Sequence, residues 1–119
     1  MYRVITNSDF RAHTAPLFAK LGILDIFQVN SLYIARFMLY YHQEILPSVF
    51  HNLLLCSNQV HNYNSRSRYN YRLHTCRTSL KKFTILYRGP KIWKALSSNI
   101  RTSVHLCTFK KTMMQFLLN

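Results

Sequence analysis

From Asp25 to about Ile45 the chain carries a helical pattern with too many apolar residues for a surface element. Asp25 followed three residues later by Gln28 reads as a capping-box-like start. Beyond it Phe27, Val29, Leu32, Tyr33, Phe37, Tyr40, Tyr41 and Ile45 leave only the stripe Gln28, Ser31, Ala35 and His42 for solvent. A helix of this kind needs cover on most sides. The remaining segments are therefore expected to pack around it.

Helical signals recur on both sides of this run. Thr14 can cap a short helix with Pro16 in its first turn, Leu17, Phe18 and Leu21 on one face, and Gly22 at its end. Met1 to Thr6 has no cap ahead of it, so the chain is expected to open inside an element. Pro47 ends the long helix or starts a short one over Ser48 to Leu55. A last amphipathic helix is expected from about His105 to Leu118, with Leu106, Phe109, Met113, Phe116 and Leu117 on one stripe.

The middle of the chain reads differently. Cys56 to Arg68, CSNQVHNYNSRSR, is polar and without helical period, hence a loop. Tyr69, Tyr71, Leu73 and Thr75 then alternate with Arg68, Asn70, Arg72, His74 and Cys76, the period of a half-buried strand. Phe83, Ile85 and Tyr87 alternate with Lys82, Thr84, Leu86 and Arg88, so the two runs are expected to pair as a basic antiparallel β-hairpin over 69–88. Gly89 and Pro90 would turn the chain into a helix holding the only tryptophan, Trp93, as a core peg. The expected architecture is α+β in a single module: a helical scaffold over 1–55, a polar loop over 56–68, the hairpin over 69–88 and C-terminal helices over 89–119.

Composition bears on function more than on fold. Half the residues are apolar, enough for a modest core, yet the net charge is +13. Its distribution is lopsided: residues 1–60 hold four cations and all three acids, Asp9, Asp25 and Glu44, whereas residues 61–119 hold twelve cations and no acid. A polyanionic partner is the economical explanation. The odd count of cysteines, Cys56, Cys76 and Cys107, and the lack of a hydrophobic leader favour an intracellular setting, cytoplasmic or nuclear. Leu32 to Tyr41 is about half the ~20 residues a membrane span requires and contains Arg36, so no membrane partner is expected.

The residue types needed for catalysis are sparse. With only Gly22 and Gly89 there is no phosphate-cradling loop, and the three carboxylates are too scattered to suggest a metal pair. Neither an enzyme activity of the chain alone, nor a cofactor, nor a small-molecule substrate is expected. Cys56, His61, His74 and Cys76 could gather around zinc, but their spacing matches neither a finger nor a knuckle, so no metal is the preferred reading. The stronger signal is basic and aromatic. Arginine forks can hold phosphates while tyrosines stack on bases, which makes Arg66, Arg68, Arg72, Arg77, Lys81, Lys82 and Arg88 the candidate nucleic-acid contacts.

A series of short motifs adds to this. LGILDIFQVNSLYIARFMLYYH, then Leu46-Pro47, HNYNSR at His61 to Arg66, YRGPKIW at Tyr87 to Trp93 and the FKK of the last helix follow one another in an order and spacing that resembles the C-terminal, post-thumb region of reverse transcriptases from animal non-LTR (LINE-like, jockey-related) retrotransposons. The resemblance spans nearly the whole chain. The family's Tyr-x-Thr-Arg element is matched by Tyr63, Ser65 and Arg66, with Ser for Thr. Its Gly-x-x-x-Trp-Asn-x-Leu-Pro element is matched by Gly89, Trp93 and Leu96, with Lys94 for Asn and Ser97 for Pro. The resemblance implies a fragment of an RNA-directed DNA polymerase lacking the catalytic aspartates, with Met1 inside a helix, which helps hold RNA or DNA. It also leaves open a structural module that packs on the polymerase portion, or a pseudogene product without function.

Overall fold

The computed structural model describes residues 2–119, and of Tyr2 the backbone only; the expectation for Met1 lies outside the described residues. Among these residues the protein is helical, with eight α-helices and no strand. The α+β class and the 69–88 hairpin are therefore corrected. The chain divides into two compact units, the described residues up to Leu32 with Val104–Asn119, and Tyr33–Ser103.

In the first unit, α1 (Tyr2–Ile5) lies beside α2 (Thr14–Leu21). Thr14 is the first residue of α2 rather than its cap; His13 takes the cap position without a side-chain bond. At the other end Gly22, at φ +63°, sends its N–H to Ala19 and Ile23 sends its own to Phe18, a Schellman closure that favours glycine. The start of α3 (Ile26–His42) is capped in detail. Gln28 Oε1 accepts the Asp25 N–H at 2.8 Å, Asp25 Oδ1 accepts the Ile26 N–H at 2.7 Å, and the Gln28 amide donates to the Leu117 carbonyl of α8 (Leu106–Leu118) at 2.7 Å. Phe109 and Met113 are the buried residues of α8, while Phe116 stays open to solvent.

In the second unit the rest of α3 buries Ile34, Ala35, Met38 and Leu39, spaced as one helical face. Ala35, read from the sequence as part of the wet stripe, is fully buried, whereas Ile26, Phe27 and Tyr33 are exposed. α3 ends in a second Schellman closure whose left-handed position is Glu44, at φ +56°; Glu44 N–H reaches Tyr41 and Ile45 N–H reaches Tyr40. Only a 3-10 turn, Ser48–Phe50, forms where a helix to Leu55 was expected. The Tyr41 hydroxyl holds this return segment by accepting the Leu54 N–H at 3.0 Å, with the His51 and Leu54 carbonyls each 2.9 Å away for its proton.

The expected polar loop contains one helical turn, α4 (Ser57–Val60), and then bends back on itself. Ser57 N–H bonds Asn70, Asn58 N–H bonds Arg68, and Arg72 N–H bonds Leu55, around a single bridge between Cys56 and Tyr71. These bonds occupy the segment that alternates in sequence. Its intended partner is helical: α5 (Ser79–Lys82) is followed directly by α6 (Ile85–Ala95). Leu86 breaks the alternation of Phe83, Ile85 and Tyr87, and Ile85, Gly89, Ile92, Trp93 and Leu96 carry the helical spacing instead. Thr84 caps α6, its carbonyl accepting the Tyr87 and Arg88 N–H groups.

Gly89 and Pro90 thus lie inside α6 and are buried there; they do not form a corner before it. Pro90 deprives the Leu86 carbonyl of its i+4 donor. Gly89 allows close packing, since a Cβ there would stand 2.7 Å from Met38 Sδ. Trp93 is 4 % exposed, with the His42 ring tilted against it at 5.3 Å between centroids. Arg101 of α7 (Ser98–Arg101) finishes α6 by donating to the Leu96 and Lys94 carbonyls, both at 2.9 Å, where a cation suits the helix dipole. Among the described residues no single helix is long and apolar enough to cross a membrane; α2 and α3 together reach that length, but with a 56° bend between them.

Candidate nucleic-acid interface

Helix α6 converts its sequence into two faces. Gly89, Pro90 and Trp93 point into the protein, which turns Tyr87, Arg88, Lys91, Ile92 and Ala95 toward the other side. Together with Lys82 and Phe83 at the end of α5 they line an open groove of about 610 Å³. Its lining combines the apolar Phe83, Ile92 and Ala95 with the cations Lys82, Arg88 and Lys91. The Lys91 ammonium stands over the Tyr87 ring at 5.9 Å, and Phe83 is 69 % exposed. Arg77 and Lys81 line a neighbouring recess with Thr75, Cys76 and Thr78.

The seven candidate residues are therefore not one surface on a strand. Lys82 and Arg88 share the α6 groove, Arg77 and Lys81 share the recess, and Arg66, Arg68 and Arg72 belong to the folded-back loop. Arg66 and Arg72 are exposed. Arg68 is partly covered, bonded through its guanidinium to Asn64 Oδ1 and lying over the Tyr69 ring at 5.8 Å. Reading the stretch as a strand missed Phe83, Tyr87 and Lys91 as groove residues. The helical spacing Tyr87, Lys91, Ala95 was the signal that could have found them.

A second cleft, of about 350 Å³, is lined by Tyr41, His42, Glu44, His51, Leu54, Cys56, Gln59 and Tyr71. Most of its polar atoms hold the chain together. His42 Nδ1 and the Tyr71 hydroxyl are 3.1 Å apart, His51 Nε2 lies 3.2 Å from the Leu46 carbonyl, and Gln59 Oε1 accepts the Cys56 N–H at 3.2 Å. Burial pushes the Cys56 thiol up from 9.0, which keeps it protonated and a poor nucleophile at neutral pH. Burial first, and then the nearby Cys56, Tyr41 and Glu44, raise the Tyr71 phenol well above its ordinary 10.0. Among the described residues no three of His, Cys, Asp and Glu are gathered to hold a metal, so Cys56, His61, His74 and Cys76 do not form a centre.

No protein-family model, no curated protein and no solved structure matches this chain.

Proposed function

We propose that the chain is a nucleic-acid-binding module without catalysis of its own, derived from the C-terminal part of a non-LTR retrotransposon reverse transcriptase and acting inside the cell, in the cytoplasm or the nucleus. The motif order from Leu21 to Lys111 supports the derivation. The observation that carries the binding is the pairing of an acid-free half of the chain with a groove in which cations flank aromatic rings. Phosphates supply affinity without sequence information, so binding is sequence-tolerant and electrostatic. Contact with about six phosphates gives a log-log salt slope of about −4 on a single strand. Titrating labelled RNA or DNA from low to physiological salt tests this. Binding that is absent throughout, or indifferent to salt, would overturn it.

A second reading has its own support. Val4, Phe10, Ile26 and Phe27 in the first unit and Val49 and Leu80 in the second are largely exposed, the surface expected of a module that packs on a polymerase portion. Sedimentation and dye binding separate the readings: a self-sufficient binding module is monomeric and dye-silent, while an unpartnered packing module self-associates.

A further inference from the structure

We infer that the α6 groove takes unpaired rather than duplex nucleic acid, with a base stacked on Phe83 and the adjoining phosphates held by Lys82, Arg88 and Lys91; this rests on the nucleic-acid reading above. Phe83 closes α5 and lies mostly in solvent, lining the groove with the apolar Ile92 and Ala95. Tyr87, the other ring of the groove, is half-buried and has the Lys91 ammonium over one face. Phe83 is thus the ring with an open face. In a duplex every internal base face is already stacked on its neighbours, so a ring set among cations in a groove can be met by a base only where the strand is unpaired.

The cations suit the same geometry. Lys82 precedes Phe83 in the chain, Arg88 and Lys91 line the same groove, and no acid occurs anywhere in residues 61–119 to repel a phosphate. Arg77 and Lys81, in the recess lined by the residues just before, give a strand somewhere to continue. An apolar peptide segment would use the apolar lining but would leave Lys82 and Lys91 facing an uncharged ligand. An unpaired strand uses both the ring and the charges. Because any base offers a π-face, this arrangement discriminates strandedness without discriminating sequence.

The test uses the full chain, with a short single-stranded RNA carrying one 2-aminopurine and the same strand annealed to its complement. Anisotropy reads binding and 2-aminopurine fluorescence reads stacking. The expected result is quenching of the single strand on binding, with Phe83→Ala abolishing the quench and weakening single-strand affinity about 5- to 150-fold, the range known for loss of one base–aromatic stack. Phe83→Trp retains both, and duplex affinity does not change in either variant. Since the ring is exposed, unchanged thermal melts are expected for both substitutions. Single-strand affinity and quench that survive Phe83→Ala would overturn the inference while leaving electrostatic binding standing. Failure of wild-type protein to bind either RNA at low salt would overturn the nucleic-acid reading and the inference with it.

Discussion

Trp93 is the residue whose removal tests the packing of the second unit most severely. At 4 % exposure it withholds nearly its whole indole from water, and Leu96, Ile100 and the Ile34, Ala35, Met38 and Leu39 face of α3 are buried in the same unit. A tryptophan buries up to about 250 Å². At about 25 cal/mol/Å² this corresponds to about 6 kcal/mol, of which the alanine methyl retains a small part. Trp93→Ala is therefore expected to cost about 3 to 5 kcal/mol, the span measured for such truncations in other cores. Against a domain stability of about 5 to 15 kcal/mol, that is a large share. Urea melts followed by the helical circular dichroism should move to lower denaturant by about 2 to 3 M, with a slope of about 1.5 kcal/mol/M. Trp93→Phe should cost clearly less. A loss below about 1 kcal/mol would refute the packing argument, and lost RNA affinity with an unchanged melt would move Trp93 from the core into the binding site.

The two helix closures make opposite predictions in the same assay. Gly22→Ala places a side chain at φ +63° and should cost about 1 kcal/mol although nothing crowds the position, while Glu44→Gly relieves φ +56° and should gain about 1 kcal/mol. Tyr41→Phe strips the acceptor from the Leu54 N–H and should lower the melting midpoint by the equivalent of about 1 to 3 kcal/mol. Tyr71 predicts an alkaline effect. Its phenol is held neutral in the folded state, so its contribution is complete below its unfolded value of 10.0 and declines as pH rises above that. Melts taken across that range should show less alkaline destabilisation in Tyr71→Phe than in the wild type.

Two local signals at element ends held where the alternation in the middle of the chain did not. The Asp25–Gln28 pair and Gly22 act through bonds within four residues, and both are found where the residues place them. The strand reading of 69–88 failed because alternation is only half of a sheet. Tyr69 to Cys76 alternates, but the run meant to pair with it follows Ile85, Gly89, Trp93 and Leu96 into a helix, so one bridge from Tyr71 to Cys56 is all that forms. The buried face of α3 was also misjudged. On a helix apolar nearly all round, composition cannot say which side is covered, and Ala35 lies inside while Phe27 lies outside. Basic character was evident from charge alone; the grouping of Lys82 with Phe83 and Lys91 required the helix.

The central claim is that the second half of the chain holds a polyanion through the cations around α5 and α6. It is tested most directly by the salt slope of RNA binding in two triple variants. Neutralising Lys81, Lys82 and Lys91 should flatten the slope by about 2, at about 0.7 per lost phosphate contact, whereas neutralising Arg11, Lys20 and Arg36 should leave it within about 0.5 of the wild type. Equal flattening by both sets, or by neither, would contradict the account.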